Sequence, residues 1–414
     1  MKIAGIISEF NPFHRGHEYL IKKTKEETGA EYVIALMSGN FVQRGEPAIF
    51  DMGLRTEMAL KGGADAVFEL PPTVSLSSAE GFAQGSVRLC EDLGVDILSF
   101  GSESGGLSTL DLIAEALAFE SDEYKEKLRS SLKEGMNFPA AREKALSENK
   151  KLQDAGLSPE ILHQILQNPN NILGIEYIKG LKRIKSSITC YTTGRIGSPY
   201  HENVDISVNS VDMSPEDAEK SLFSAESIRN SLYNNRVPGE YAVYMKYGTV
   251  SRDALTSPLL FMLNSVGLKD KMSKCGIPED LSRRISNNLD FIGSFSEFLD
   301  LLKTRNITFT SVSRSLLRLI LDTKAYEPAD SLNYIRLLGF KKAHKKVLGE
   351  ISSRSGLSII SNSSDINTFL KEHPEDTLLK DSLRINRHYE LLRDEEKRKE
   401  YPLSPEISRE IVII

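Results

Sequence analysis

Short apolar runs alternate with helix-length amphipathic stretches through about the first hundred residues, and this alternation restricts the fold more than any other feature of the chain. Ile3 to Ile7 reads as a buried strand, with Tyr32 to Met37, Ala66 to Leu70 and Asp96 to Phe100 as three more. Helical patterns separate them. His17 to Glu27 is closed by Gly29, Asp51 N-caps a stretch that runs to Lys61 before Gly62-Gly63, and Ser78 to Asp92 forms the third. Strands spaced by helices of this length imply right-handed βαβ crossovers, which lay a parallel sheet between two helical layers. The expected class is therefore α/β, a doubly wound parallel sheet. Ligands of such sheets bind beyond the carboxyl ends of the strands. The tips there are Ser8-Glu9-Phe10-Asn11, Ser38-Gly39-Asn40, Glu69-Leu70-Pro71-Pro72 and Gly101-Ser102-Glu103, all polar or rich in Gly and Pro.

Downstream the pattern changes. From Leu107 to about Leu166 it is helical and charged, an expected insertion over the sheet (about 107–166). Ile188 to Thr193 reads as a fifth strand, and Ser224 to Tyr233 opens a helix. Beyond Gly239 the strand signals fade, and Val312 to Leu321 and Ser331 to Leu348 read as helices. This sets an expected boundary near 235–245: a catalytic region over 1–240 and a mainly α-helical region over 241–414. With a formal net charge of −6, no basic field covers the whole molecule, so a polyanionic partner would need a local patch. Cys90, Cys190 and Cys275 are widely spaced and odd in number, which suits a reducing compartment rather than a disulfide framework. No run reaches the roughly 18 apolar residues of a membrane span, and Glu9 interrupts the N-terminal apolar run where a signal peptide would continue. A cytoplasmic protein is expected.

The strongest chemical signal is Phe10-Asn11-Pro12-Phe13-His14-Arg15-Gly16-His17, which follows the first strand and opens the first helix. Unpaired N–H groups and the positive end of the helix dipole make that turn an anion site. Gly16 allows close backbone approach. His14 and His17, three residues apart, supply donors for phosphate oxygens. Adenylyl transfer needs such donors placed where charge grows on the α-phosphate and the departing pyrophosphate. A zinc reading of the same two histidines lacks a third ligand. A second anion-binding pattern, Ser224-Ala225-Glu226-Ser227-Ile228-Arg229, combines a helix start, two hydroxyls and a guanidinium. A capping box with a surface Arg is its bland alternative.

A His-x-Gly-His turn after the first strand resembles the signature of the HIGH-type nucleotidyltransferase superfamily, Rossmann-like in fold. Residues 224–229 resemble that superfamily's later phosphate motif, with Glu226 where a small polar residue is usual. The likeness narrows further. GIISEFNPFHRGHEYLI, MSGNFVQRGEPAIFD, GGADAVFELP, NPNNILGIEYIK and GRIGSPYH, in that order, look like the bacterial tRNA(Met) cytidine acetate ligase family over most of residues 1–235. The resemblance implies that ATP activates acetate as acetyl-AMP, and that acetyl then passes to the exocyclic amine of the wobble cytidine of elongator tRNA(Met), giving N(4)-acetylcytidine. It implies an ATP site of Ile7, Ser8, Glu9, Phe10, Asn11, Pro12, Phe13, His14, Arg15, Gly16, His17, Glu18, Tyr19 and Leu20, with Gly101, one of Asn170 and Asn171, and Arg195 with Ile196. His14 and His17 are then the catalytic pair, and Ser224, Ser227 and Arg229 further phosphate contacts. Mg²⁺ is expected to accompany the nucleotide.

Two readings concern charge. Arg44, in the polar loop Ser38 to Gly45, is a candidate for holding acetate or is a solvated loop residue. Arg283, Arg284, Arg314, Arg318, Arg336, Lys341, Lys342, Lys345 and Lys346, with Tyr334, Phe340 and His344 among them, suit RNA backbone contact and base stacking, or else solvate helix faces. Rival functions are a small-molecule adenylyltransferase, which would need no RNA, and a non-catalytic nucleotide-binding regulator.

Overall fold

In the computed structural model the described residues are 1–194 and 224–414. Eight strands form the main sheet: β1 (Ile3–Ser8), β2 (Tyr32–Ser38), β5 (Ala66–Leu70), β6 (Ile97–Ser102), β7 (Thr189–Gly194), β8 (Tyr334–Phe340), β9 (Ser358–Ile360) and β10 (Val412–Ile413). The order is β10-β8-β5-β2-β1-β6-β7, with β9 also on β8. The pairs β5–β2, β2–β1, β1–β6 and β6–β7 are parallel, and the chain reverses its direction of travel across the sheet between β1 and β6. A short antiparallel ladder, β3 (Phe41–Val42) with β4 (Glu46–Pro47), shapes the loop after β2.

Alternate side chains of β1 and β2 feed two different cores. Ile3, Ile7, Ile34 and Leu36 pack against Phe82, Val87, Ile113 and Ile178 on one face. Ala4, Ile6, Val33 and Ala35 pack against Leu20, Ile21, Met58 and Ile228 on the other. The doubly wound expectation holds. Its caps hold too: Gly29 takes φ +67° after the helix Arg15–Thr28, and the Asp51 carboxylate accepts the Gly53 N–H at the start of Met52–Lys61. Leu107 to Leu166 is a run of helices, as read, continued by Pro169–Arg183.

The region after 240 is mostly helical, but not wholly so. Ser331 to Leu348 is not one helix. It contains β8, antiparallel to β5, then a short 3-10 turn and the start of the helix Lys346–Arg354. Every residue of Tyr334–Phe340 is buried, Arg336 among them, so polar and apolar positions do not alternate along the run and it carries no period to separate strand from helix. The sheet is therefore mixed, and it crosses the expected boundary near 240. The helical remainder builds a third core, with Phe295, Phe298, Leu316 and Tyr389 at its centre and Phe41 and Leu76 reaching in from the catalytic region. Among the described residues, no helix is long and apolar enough to cross a membrane.

Candidate functional site

A cavity of about 450 Å³ opens beyond the carboxyl ends of β1, β6 and β7, at the point where the strand order reverses. That is where an open parallel sheet leaves a crevice, and the volume suits a nucleotide-sized ligand. Ile7, Ser8, Glu9, Phe10, Asn11, His14, Gly16, His17, Tyr19 and Leu20 line it, with Gly101, Asn170, Ser224 and Arg229.

The turn after β1 is held by its own histidines. His14 is the N-cap of Arg15–Thr28; its Nδ1 accepts the Gly16 N–H at 3.1 Å, and His17 Nδ1 accepts the His14 N–H at 3.2 Å. A ring nitrogen that accepts must be unprotonated, so each neutral imidazole carries its hydrogen on Nε2. The two rings stack with centroids 3.8 Å apart, and Phe10 meets the His17 ring edge-on at 4.8 Å. Backbone capping thus fixes two neighbouring N–H donors in one tautomer. The glycine between them has a steric reason: a Cβ on Gly16 would lie 2.9 Å from His14 Cε1. Phe10 itself takes φ +46°, rare for a residue with a side chain.

A second element closes the phosphate side. Ser224 N-caps the helix Ala225–Tyr233, its Oγ accepting the Ser227 N–H at 3.1 Å. Arg229 is buried; it donates to the Asn11 carbonyl at 2.7 Å and lies 3.5 Å from Glu46. Ser227 does not line the cavity; its hydroxyl sits 3.0 Å from Ser224 Oγ in the cap. The cavity also excludes Pro12, Phe13, Arg15 and Glu18. The Phe13 carbonyl accepts from the Tyr241 hydroxyl, Arg15 turns to Glu240 at 3.6 Å, and Glu18 is exposed. Arg195 and Ile196 lie outside the described residues.

The Asn pair separates cleanly. Asn171 is 1% exposed, and its Oδ1 accepts the N–H groups of Glu103 and Ser104, so it fixes the loop after β6. Asn170 lines the cavity and donates to Glu103 Oε1 at 2.6 Å.

Arg44 lines the cavity too, but it is engaged: its Nε lies 3.8 Å from Glu9 Oε2, and its backbone N–H donates to Glu9 Oε1. Enclosure raises the Glu9 carboxyl above the usual range while Arg44 pulls it back. Two features of this wall escaped sequence reading. Arg55, fully buried, donates to the carbonyls of Glu9, Ser38, Gly39 and Phe50 and so ties the ends of β1 and β2 together; burial pushes its guanidinium down to about 10. Thr310 and Arg314 reach the cavity from the helix Phe309–Leu321, far along the chain.

The expected basic surface comes apart. Arg314 is at the cavity. Arg318 is buried, donating to the carbonyls of Cys275 and Leu76. Arg336 is buried between Glu69 and Glu406. Neither of these two faces an RNA. Arg283 is exposed beside Glu279, and Arg284 caps carbonyls of Leu301 and Leu302. Lys342, Lys345 and Lys346 are exposed and Lys341 is half-buried. They lie at the rim opposite the cavity, since the Lys341 N–H donates to the carbonyl of Asp65, just before β5.

The HIGH Nucleotidyl Transferase family model matches residues 1–402. The chain is 37% identical over 388 residues to a tRNA(Met) cytidine acetate ligase of Acetivibrio thermocellus, covering 88% of this chain and 89% of that one. It is 39% identical over 377 residues to the protein of the same name from a Thermoanaerobacter species, covering 87% and 88%. It is also similar to the crystal structure of Thermotoga maritima TmcAL bound with alpha-thio ATP: TM-score 0.81, 28% identity, 98% of this chain and 99% of that one.

Proposed function

The chain belongs to the HIGH nucleotidyl transferase family, among its tRNA(Met) cytidine acetate ligases, and from that premise we propose that it activates acetate with ATP as acetyl-AMP and acetylates the wobble cytidine of elongator tRNA(Met). The observation that carries the chemistry is the paired imidazole cap, whose two Nε2–H donors and Gly16 N-terminus suit the charge that develops between α-phosphate and pyrophosphate. The nucleoside would lie along Gly101, Asn170 and the end of β7. Mg²⁺ would arrive on the triphosphate, with phosphate oxygens among its ligands. Three free cysteines fit work in a reducing cytoplasm.

With ATP and labelled pyrophosphate, exchange is expected only when acetate is added, and with tRNA the nucleoside digest should contain N(4)-acetylcytidine. Acetylation from acetyl-coenzyme A without ATP would defeat this reading. A nucleotide-binding regulator would give neither signal.

The lysines at the opposite rim remain our candidates for gripping the tRNA backbone away from the reacting base. Replacing Lys341, Lys342, Lys345 and Lys346 together by Ala should weaken tRNA binding and flatten its log–log salt dependence by roughly 0.7–0.9 per lost phosphate contact. ATP binding should not change. An unaltered salt slope would assign these lysines to solvation alone.

A further inference from the structure

We propose that Arg314 receives the carboxylate of acetate, so that the C-terminal helical region completes the acyl-donor subsite of the catalytic cavity. The inference rests on the acetate-activating function above. Of the arginines that line the cavity, Arg229 leans on Glu46 and Arg44 on Glu9. Arg314 forms no ion pair among the described residues; it makes one hydrogen bond, from Nη1 to the Gln43 carbonyl at 3.1 Å. A guanidinium has five N–H donors in a fork that matches a carboxylate, so most of its capacity stays available on the cavity side. Burial pushes it down to about 10, with Arg318 adding to the shift, so it is still charged at neutral pH and gains from an incoming anion.

The surroundings select a small, partly apolar anion. Arg314 and Arg318 are one helical turn apart on the same face. Arg318 reaches the Leu76 carbonyl, while Gln43, beside Arg314, donates to the Ser77 carbonyl. The wall next to Arg314 is therefore the segment that runs into Ala79 and Phe82, both of which line the cavity. A methyl group can lie on these side chains while its carboxylate meets the guanidinium. The phosphates have their own donors in the same cavity, at the His14–His17 turn and the helix start at Ser224, which leaves the Arg314 guanidinium for the carboxylate that attacks the α-phosphate.

The placement is also built in, not incidental. Gly45 has φ +81°, and a Cβ there would collide with the backbone of Ser313 and Arg314; Ser313 Oγ donates to the Gly45 carbonyl at 2.7 Å. The loop after β2 and the helix Phe309–Leu321 are thus locked at Arg314.

The test is acetate-dependent ATP–pyrophosphate exchange by the full-length protein and its Arg314→Met and Arg314→Lys variants. A lost charged hydrogen bond predicts that Arg314→Met raises the KM for acetate about 10–100-fold. The KM for ATP should move less than about threefold, and Arg314→Lys, which keeps the charge but not the fork, should fall between. Melting temperatures near the parent's would confirm intact packing, and Arg314→Lys supplies the comparison where Arg314→Met folds poorly. An unchanged acetate KM overturns the proposal. So does a rise confined to the KM for ATP, which would put the guanidinium on the triphosphate, or to the KM for tRNA, which would put it on RNA. Failure of the parent protein to exchange with acetate at all is a separate result and strikes the proposed function itself.

Discussion

In a His17→Ala protein, acetate-dependent ATP–pyrophosphate exchange is expected to fall by about 10²–10³-fold in kcat, the usual loss when one preorganised donor to a transition state is removed. The same side chain also caps the backbone, since His17 Nδ1 accepts the His14 N–H. The Ala variant therefore removes a donor and a cap together. A cap alone is worth about 1 kcal/mol of stability. His17→Asn separates the two roles, because an Asn oxygen can occupy the Nδ1 position and accept the His14 N–H while nothing replaces the outward Nε2–H. The donor role predicts that Asn restores the melting temperature but not the rate, with the KM for ATP changing far less than kcat. Recovery of rate along with stability in His17→Asn would show that the imidazole matters only as a cap. The stacked His14 ring, 3.8 Å away, makes the two donors one unit, so the double variant should cost much less than the product of the single losses.

The reason this turn is legible in sequence, while other parts of the site are not, lies in how each is built. The His14–His17 cap and the Ser224 cap form within segments of a few residues after a strand or at a helix start, where local spacing fixes geometry, whereas the choice between Asn170 and Asn171 is made by Glu103, 67 residues away. Arg314 reaches the cavity only because Gly45 and Ser313 pack together across 268 residues of chain. Arg55 sits inside a helix whose pattern marks it as one more polar residue, yet tertiary packing turns it onto four carbonyls. Composition also misleads at Arg318 and Arg336: clustered basic residues read as a surface, but both have found buried acceptors in segments remote from their own. The strand β8 escaped for a related reason. A run buried on every side, with its one charge, Arg336, turned inward, has no polar face to report its period, and its partner β5 lies over 260 residues away.

Replacing Arg336 by Met should destabilise the protein by about 3–5 kcal/mol at pH 8, the cost of stranding buried charge by removing one partner. Arg336 is 6% exposed; its Nη1 lies 2.8 Å from Glu69 Oε2, and its Nη2 lies 3.2 Å from Glu406 Oε2. Arg409 supports the far side of Glu406 at 2.8 Å and bonds Asp51, the N-cap of Met52–Lys61. The network therefore binds β5, β8, the C-terminal segment and a helix of the catalytic region. Burial raises the Glu69 carboxyl above the usual range, and Arg336 is the largest influence opposing that rise. Without Arg336 the carboxyl should rise further. A raised carboxyl is unfavourable when ionised, so its penalty is full above the folded-state pKa and is relieved as pH falls through it and a proton binds. The Arg336→Met deficit, read from denaturant midpoints, should then be largest at pH 8 and shrink toward pH 5. A second change, Glu69→Gln, removes the stranded charge and should recover much of the loss, leaving a strong coupling in the double-mutant cycle. Equal deficits at both pH values, or no recovery in the double variant, would mean that Arg336 contributes packing rather than charge compensation. The stability assigned here to the junction between the catalytic and C-terminal regions would then have to come from the apolar contacts of β8 alone.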